Sequence, residues 1–179
     1  MSKHNAHAHT HGYFSAEPDE STKNLLAQNL EKGAVIVDYG CGIGRYCGVL
    51  SEYAKRLYCV DVNEEALQLV KARFEDAITI SSTESIEGNS VDTVLLANSF
   101  HDFEDKEFAV SEILRILKYG GKVIVIDWKK ADSDKSVALF GPPMRIRMSK
   151  EDYKNYFKKF RLINALDINE THYGLIFSK

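Results

Sequence analysis

Long apolar runs, prolines and cysteines are all scarce in this sequence. Only three of the 179 residues are proline and 11 are glycine, which excludes a collagen-like or low-complexity chain. No apolar run approaches the roughly 18 residues that a membrane-spanning helix needs. The first 14 residues, MSKHNAHAHTHGYF, lack the apolar core of a secretory signal. The three cysteines, Cys41, Cys47 and Cys59, are odd in number and lack C-x-x-C spacing. We therefore expect a cytoplasmic protein with no membrane partner and no disulfide framework.

An excess of positive charge is also missing. Lys plus Arg number 23 against 26 Asp plus Glu, which gives a formal net charge of -3. Such a chain lacks the basic field on which non-specific nucleic-acid binding depends, so we expect no nucleic-acid partner. Apolar residues make up 44% of the chain. At this length they predict one domain with a substantial core over residues 15–179.

Histidines are concentrated before that domain, at His4, His7, His9 and His11. Imidazoles spaced along an extended chain can bind a divalent metal. A structural metal site, however, needs a closed set of ligands that a folded context holds in place. We interpret residues 1–14 as a flexible, His-rich tail and expect no metal site.

Five short apolar runs alternate with helix-like segments before residue 130. The runs are AVIVDYG (34–40), LYCVDV (57–62), AITIS (77–81), VDTVLLAN (91–98) and KVIVIDW (122–128). Several are continuously apolar, which is typical of parallel strands covered by helices on both faces. Helices are predicted over 45–55, 63–74 with Asn63 as N-cap, and 105–118, the last ending at Tyr119-Gly120-Gly121. The β-α-β-α order predicts an open α/β sheet with right-handed crossovers.

The last third of the chain has a different pattern. Ser149 and Asp152 form an S-x-x-D capping box for a helix that is expected to run to about Phe160. Two apolar runs follow, LINALDI and THYGLIFS, separated by Asn169-Glu170. This pattern predicts an antiparallel hairpin at or beside one edge of the sheet.

Residues 129–148 form the one long connection that the sequence predicts. They include Arg145 and Arg147, which are two positions apart and would share a face in an extended segment. Such a pair can hold an anionic group of a substrate. Solvent exposure of both side chains is the interpretation that we favour.

The strongest functional signal is a glycine loop, Asp38-Tyr39-Gly40-Cys41-Gly42-Ile43-Gly44, between a strand and a helix. Ligands of open α/β sheets bind beyond the carboxyl ends of the strands, where this loop lies. A dinucleotide fold requires G-x-G-x-x-G, but Arg45 occupies the place of the third glycine. Asp61 ends the next strand 21 positions after Gly40, where a carboxylate can accept both ribose hydroxyls or, alternatively, support the start of the following helix. The loop predicts a nucleoside ligand and argues against a nicotinamide reductase.

With these motifs the sequence resembles the class I S-adenosylmethionine-dependent methyltransferases, within them the small type 11 group related to quinone-biosynthesis enzymes. The resemblance covers residues 33–130 and rests on VIVDYGCGIG, CVDV, VDTVLLANSFHDF and LKYGGKVIVIDW, in that order. It implies a Rossmann-like α/β fold with helices on both faces of an open, mostly parallel, seven-stranded sheet. The implied strand order is 3-2-1-4-5-7-6, with a C-terminal antiparallel hairpin.

The resemblance also implies S-adenosyl-L-methionine as cofactor and a set of residues that bind it. Gly40 and Gly42 would leave room for the methionyl portion, Asp38 would hold its amino group, Asp61 the ribose hydroxyls, and Val62 would flank the adenine. Many relatives carry an acidic residue after the third strand, where this chain has Ser81-Ser82-Thr83. Either a serine, Ser82, or the backbone would substitute for it. The full expected set is Asp38, Tyr39, Gly40, Cys41, Gly42, Asp61, Val62, Ser82, Ala97 and Asn98.

His101 is the candidate catalytic residue. It leaves the carboxyl end of the fourth predicted strand in Asn98-Ser99-Phe100-His101-Asp102, where the reacting methyl would face the substrate. An imidazole with a pKa near neutral can deprotonate an acceptor, although methyl transfer also proceeds by placement alone. A catalytic base at the mouth of the site and a histidine that anchors the loop both remain open.

Methyl transfer to a small-molecule acceptor is the function that we expect, because the chain has no inserted substrate domain. The residues left to cover the site are 1–30 and 129–148, and a homodimer would also cover it. C-, O-, N- and S-methylation are not separated by the sequence. The alternative hypothesis is that the chain is not an enzyme. It would then be a non-catalytic S-adenosylmethionine- or nucleotide-binding module that acts through a protein partner.

Overall fold

A computed structural model describes residues 17–130 and 141–179. The predicted tail, its four histidines and residues 131–140 of the long connection lie outside the described residues. Within the described residues, the helices are α1 (Glu20–Asn29), α2 (Cys47–Ser51), α3 (Glu64–Arg73), α4 (Lys106–Ile116) and α5 (Lys150–Tyr156). The strands are β1 (Ala34–Tyr39), β2 (Ala54–Val60), β3 (Ile78–Ile80), β4 (Val91–Ala97), β5 (Leu117–Trp128), β6 (Arg161–Asp167) and β7 (His172–Ser178).

All seven strands form one sheet in the order β3-β2-β1-β4-β5-β7-β6. The pairs among β1 to β5 are parallel. Strand β7 lies antiparallel to both β5 and β6. This arrangement confirms the predicted α/β fold class, strand order and C-terminal hairpin. It also places the ends of β1, β2 and β4 side by side at one edge of the sheet.

The central strands bury side chains on both faces, as their continuous apolar runs predict. Val35 and Val37 of β1 belong to a core with α4 and α5, whereas Ala34 and Ile36 belong to a second core with α1, α2 and α3. Successive residues of a strand point to opposite faces of the sheet. An apolar residue at every position therefore lets one strand supply both cores.

Polar side chains cap the starts of four helices, and Asp19 does so for α1. Asn63 caps α3 by accepting a hydrogen bond from the backbone N–H of Ala66 at 3.2 Å. The predicted capping box of α5 is present, because Ser149 and Asp152 each accept a hydrogen bond from the other's backbone N–H. Asp105 caps α4 in the same way as Asn63 caps α3. Capping of this kind satisfies backbone donors that have no partner within the helix.

Several predicted boundaries are wrong, and one helix, α1, was not predicted. Helix α2 is much shorter than 45–55, because β2 already begins at Ala54, which pairs with Ala34 of β1.

Helix α4 ends at Ile116, and Gly120-Gly121 lie inside β5 instead of ending a helix. Their register against β4 is irregular there, and Gly120 has φ +79°. Helix α5 ends at Tyr156, before the expected Phe160.

Arg145 and Arg147 do not share a face. Arg145 is exposed, whereas Arg147 is 2% exposed. The Arg147 guanidinium donates to the carbonyls of Pro142 and Lys129 and lies over the ring of Trp128. Because residues 144–146 form a turn, the two-residue spacing does not produce the alternation of an extended chain. Solvent exposure, expected for both side chains, is therefore wrong for Arg147.

Among the described residues, the helices are all too short or too polar to cross a membrane.

Candidate functional site

A cavity of about 770 Å³ lies where β1, β2, β3 and β4 end. Nine of the ten expected cofactor-binding residues contribute to its wall: Tyr39, Gly40, Cys41, Gly42, Asp61, Val62, Ser82, Ala97 and Asn98. Asp38 and His101 are not part of the wall. The rest of the wall includes residues of the segment after β4 and the first turns of α4. The fold thus brings three of the four sequence motifs, together with the segment after β3, to one cavity.

Gly40 and Gly42 of the loop have different surroundings. Gly40 has φ +79°, and a Cβ built on it would lie 2.4 Å from Cβ of Ser99. Ser99 is fixed there because its hydroxyl donates to the carbonyl of Tyr39 at 2.9 Å. Gly42 has φ +50°, and a Cβ on it would meet nothing within 4 Å. Gly40 is therefore required by the packing of Ser99, whereas Gly42 leaves open space in the cavity wall.

Asp61 connects the glycine loop to the start of α3. Its Oδ2 accepts the backbone N–H of Gly42 at 2.7 Å, and its Oδ1 accepts the backbone N–H of Asn63 at 2.9 Å. A carboxylate has about four acceptor positions, so each oxygen can still accept one further hydrogen bond. The helix-supporting role and a ligand-binding role are thus compatible. The adjacent Val62 exposes 89% of its surface beside this carboxylate.

Two buried oxygens near the loop have no hydrogen-bond partner among the described residues, Oδ2 of Asp38 and Oδ1 of Asn98. Asp38 is 1% exposed. Burial, together with the charge of Asp61, raises the pKa of Asp38 to about 7. Asn98 adopts φ +54°, which is uncommon for a residue other than glycine. Unpaired buried oxygens destabilise a protein unless a ligand or water donates to them.

The loop after β3 is held against α4. Thr83 donates its hydroxyl to Glu112 at 2.9 Å, and Arg115 donates to the same carboxylate and to the carbonyl of Thr83. Ser82, which precedes Thr83, is half-buried and accepts the backbone N–H of Glu84 at 3.1 Å. This network fixes the part of the wall that contains Ser82 and Thr83.

His101 lies behind the wall rather than at its mouth. Its side chain is 3% exposed, with Nδ1 at 3.1 Å from Oδ1 of Asp127 and Nε2 at 3.4 Å from Oδ2 of Asp102. Burial lowers the pKa of His101, but the hydrogen bond to Asp127 and the charges of both carboxylates outweigh burial, so the pKa is raised. Asp102, not His101, lines the cavity.

The wall also contains residues that were not predicted from the sequence, among them Arg45, Asp102 and Phe103. The Nε atom of Arg45 is buried and has no hydrogen-bond partner among the described residues. The ring of Phe103 lies 4.8 Å from that of Tyr39. The position of Arg45 directly after the glycine loop is the sequence signal that could have identified it.

The part of the chain that the structure describes contains no group of three or more His, Cys, Asp or Glu residues able to hold a metal ion. All three cysteines are buried and free. The Sγ atoms of Cys47 and Cys59 lie 3.1 Å apart. Burial and neighbouring thiols raise the pKa of Cys59 well above its usual range. Protonated, enclosed thiols of this kind are poor nucleophiles.

Comparison with known proteins agrees with this architecture. The family model described as a methyltransferase domain matches residues 37–125. A crystal structure from Sulfolobus solfataricus, described as a type 11 methyltransferase, is 43% identical, covers 92% of each chain and has a TM-score of 0.81. An S-adenosylmethionine-dependent methyltransferase from Aquifex aeolicus shares the fold with a TM-score of 0.76 at 24% identity, over 88% of each chain.

A curated methyltransferase-like protein of Schizosaccharomyces pombe is 30% identical over 107 residues. The match covers 58% of this chain and 41% of that protein, so the chain spans less than half the length of this relative. The relatives and the shared fold point to one cofactor, S-adenosyl-L-methionine, and to one reaction type, methyl transfer. The chain belongs to the class I S-adenosylmethionine-dependent methyltransferases of type 11.

Proposed function

We propose that this methyltransferase acts on a small-molecule acceptor that binds between the glycine loop and the segment after β4. The observation that carries the proposal is the volume of the cavity, about 770 Å³. Small-molecule sites span about 300 to 1,000 Å³, so this cavity has room for a nucleoside-sized cofactor and a second small molecule. Phe103 and the half-exposed Phe108 supply apolar surface for the second molecule.

The residues at the glycine loop fit the cofactor, whose bound sulfonium supplies the methyl group. The unpaired oxygens of Asp38 and Asn98 match a cationic amino group, which needs buried acceptors. Arg45 has an unpaired buried Nε and matches the neighbouring carboxylate of the same amino-acid portion. Open space at Gly42 leaves room for that portion.

The nucleoside portion fits the other half of the wall. The remaining acceptor positions of Asp61 would take the ribose hydroxyls. The exposed Val62 would cover one face of the adenine. Ser82 already accepts one backbone hydrogen bond and retains a hydroxyl proton to donate to the base. Tyr39, Cys41 and Ala97 would complete the wall by contact.

A nucleic-acid acceptor fits this site less well. The part of the cavity wall that follows β4 includes Asp102, Glu104 and Asp105. Three carboxylates would repel phosphate groups, and the chain carries a formal charge of -3. We therefore propose no nucleic-acid partner. The three buried free thiols suit a reducing compartment such as the cytoplasm.

The test uses S-adenosylmethionine labelled on its methyl group, with the full chain as enzyme. A panel of a catechol, dithiothreitol, a primary amine and an aromatic carboxylic acid represents the O, S and N acceptors, and transfer RNA and unlabelled cell protein form the macromolecular arm. We expect label in the low-mass fraction together with S-adenosylhomocysteine. Label found only in transfer RNA or protein would reject the small-molecule proposal. The Asp61→Ala variant serves as the control for contaminating activity.

A further inference from the structure

A row of four side chains leads from the core to the cavity. Hydrogen bonds join the buried Tyr153, Asp127 and His101, and the exposed Asp102 lies 3.4 Å from His101. Asp127, at the end of β5, is fully buried. Its carboxylate accepts hydrogen bonds from the hydroxyl of Tyr153 at 2.5 Å and from the backbone N–H of Trp128 at 2.8 Å. Nδ1 of His101 lies 3.1 Å from the same carboxylate. Because an ionised carboxylate only accepts, Nδ1 must be the donor.

This tautomer decides the state of the other ring nitrogen. In neutral His101 the proton is on Nδ1, so Nε2 carries the lone pair. Nε2 lies 3.4 Å from Oδ2 of Asp102. The side chain of Asp102 is 63% exposed and lines the cavity. Asp102 is therefore the one member of the row that can touch a bound acceptor.

We propose that Asp102 receives the proton that the methyl acceptor loses and passes it to Nε2 of His101, while Asp127 and Tyr153 hold the imidazole in place. The inference rests on the proposed function. The acceptor's X–H bond breaks and its electron pair forms the X–CH₃ bond, while the carbon–sulfur bond breaks with its pair remaining on sulfur. The proton binds first to the carboxylate of Asp102 and then to His101, and it leaves to solvent through Asp102, whose side chain is exposed. Asp102 is the catalytic residue in this scheme, and Asp127 and Tyr153 are positioning residues.

The charged groups around His101 favour its protonated form, as a residue that holds the acceptor's proton requires. Asp127 of β5 and Asp102 of its own turn both favour the imidazolium form, whereas Lys106 of α4 opposes it. The ammonium of Lys106 is engaged elsewhere, because it donates to the carbonyl of Phe103 at 2.7 Å. The net effect raises the pKa of His101 in spite of burial. This balance between burial and the two carboxylates suits a base that is neutral before the reaction and is stabilised once it has been protonated.

Two residues of the chain provide matched controls. Glu104 is a second carboxylate on the cavity wall, two positions after Asp102. His172 is a second imidazole, half-buried and tilted against Trp128 with ring centroids 4.1 Å apart. Burial lowers the pKa of His172 to about 4, so its signal titrates separately from that of His101.

The test follows histidine titrations by NMR in the full chain labelled on its imidazoles, with His101 assigned from the His101→Gln variant. We expect Asp102→Asn and Asp127→Asn each to lower the pKa of His101 by about one unit. Glu104→Gln should leave it unchanged. The pKa of His101 should also be higher with S-adenosylhomocysteine than with S-adenosylmethionine, because the thioether lacks the positive charge of the sulfonium. The pKa of His172 should be the same with both.

A pKa of His101 that is unaffected by Asp102→Asn, or that is identical with the two cofactor forms, overturns the proton path. A solely structural ion pair would show the same pKa responses, but Asp102→Asn would then leave the rate of methyl transfer to an acceptor identified on the panel unchanged. If Asp127→Asn does not fold, Tyr153→Phe tests the same support of the imidazole. Failure of the proposed function has a different signature, since the methyl label would then appear only in transfer RNA or protein, while both cofactor forms would still bind in the titration.

Discussion

The backbone N–H of Gly42 donates to Oδ2 of Asp61 at 2.7 Å and thereby joins the glycine loop to the end of β2. The second oxygen of the same carboxylate accepts the backbone N–H of Asn63, which caps α3. One side chain thus orders both the loop and the helix that follow two adjacent strands. Because these hydrogen bonds use only part of its acceptor capacity, the site is organised before any ligand binds.

Removal of this carboxylate tests its role in cofactor binding. We expect Asp61→Ala to weaken binding of S-adenosylmethionine by ~1 to 3 kcal/mol, since two ribose hydroxyls lose a charged acceptor. Isothermal titration calorimetry measures the change, and circular dichroism checks that the fold persists. Asp76→Ala, which removes an exposed carboxylate outside the cavity wall, is the control. Equal affinities of the folded Asp61 variant and the wild type would exclude Asp61 from the site.

The space at Gly42 provides a second prediction. Gly42→Val should abolish cofactor binding, because the new side chain would fill space in the cavity wall. Gly33→Val is a matched control, since Gly33 also has a positive φ, +78°, and no atom within 4 Å of a built Cβ, but lies outside the cavity wall.

Both valine variants should lose a similar free energy of unfolding, on the order of 1 to 2 kcal/mol, from the left-handed backbone. Only the Gly42 variant should lose binding of S-adenosylmethionine in calorimetry. Normal binding by a folded Gly42→Val protein would refute the assignment of the loop.

Those parts of the fold that depend on local sequence could be predicted. The helix over 63–74 was correct to within a residue, because Asn63 and Arg73 stand where capping and the helix dipole favour them. The capping box at Ser149 and the break at Asn169-Glu170 were equally informative. The strand order, by contrast, came from the resemblance to a family, since no local pattern specifies which strands are neighbours.

The errors concern residues whose conformation is decided by distant contacts. Gly120-Gly121 resemble a helix terminus, but pairing with β4 and β7 draws this segment into β5. A Cβ on Gly121 would lie 2.9 Å from the carbonyl oxygen of Lys118, so the glycine is needed for an irregularity within the strand. Likewise, the contact of Ser99 with Gly40 joins residues 59 positions apart. Tertiary packing overrides the local signal in both cases.

The position of His101 relative to the cavity also could not be predicted from the local sequence. The sequence placed an imidazole at the end of β4, and the structure does contain His101 on that turn. Which of two adjacent side chains faces the cavity depends on the path of the turn, and this path puts Asp102 on the wall and His101 behind it. Asp127, the buried hydrogen-bond partner of His101, lies 26 positions away in the sequence. No local sequence pattern indicates that it contacts His101.

Asp38 predicts a pH dependence of stability. Burial raises its pKa to about 7, compared with about 3.9 in an unfolded chain. Between these values the folded state binds more protons than the unfolded state, so the free energy of unfolding should fall as the pH rises from about 4 to 7. Asp38→Asn removes this effect and should be the more stable protein at about pH 8, by about 2 to 4 kcal/mol. Urea denaturation at about pH 5 and 8 measures the difference.

The affinity for the cofactor should also depend on Asp38, but it should increase with pH, whereas the free energy of unfolding decreases. The amino group of S-adenosylmethionine is a cation below its own pKa of about 7.7 to 8.0, and it favours ionised Asp38. Affinity should therefore increase between about pH 5 and 7 in the wild type. The increase should be absent in Asp38→Asn. Parallel affinity curves for the two proteins would show that Asp38 does not contact the amino group.

The last prediction separates proton transfer from positioning at His101. His101→Gln retains polarity and approximate size but removes the titratable base. If His101 stores the acceptor's proton, methyl transfer to an acceptor identified on the panel should slow ~10² to 10⁴-fold. Cofactor affinity should hardly change, because His101 lies behind the cavity wall.

The pH profile makes the distinction sharper. Neutral His101 is the form that accepts a proton, and its pKa is raised above the usual value. The wild-type rate should therefore rise with pH through a pKa above about 6.5 and then level off, whereas the glutamine variant should lack this rise. His172→Gln, which alters a half-buried imidazole outside the cavity wall, should keep the wild-type profile. Wild-type turnover by His101→Gln from about pH 5 to 9 would mean that the enzyme works by placing the acceptor alone, because the loss of a required base must appear in the rate.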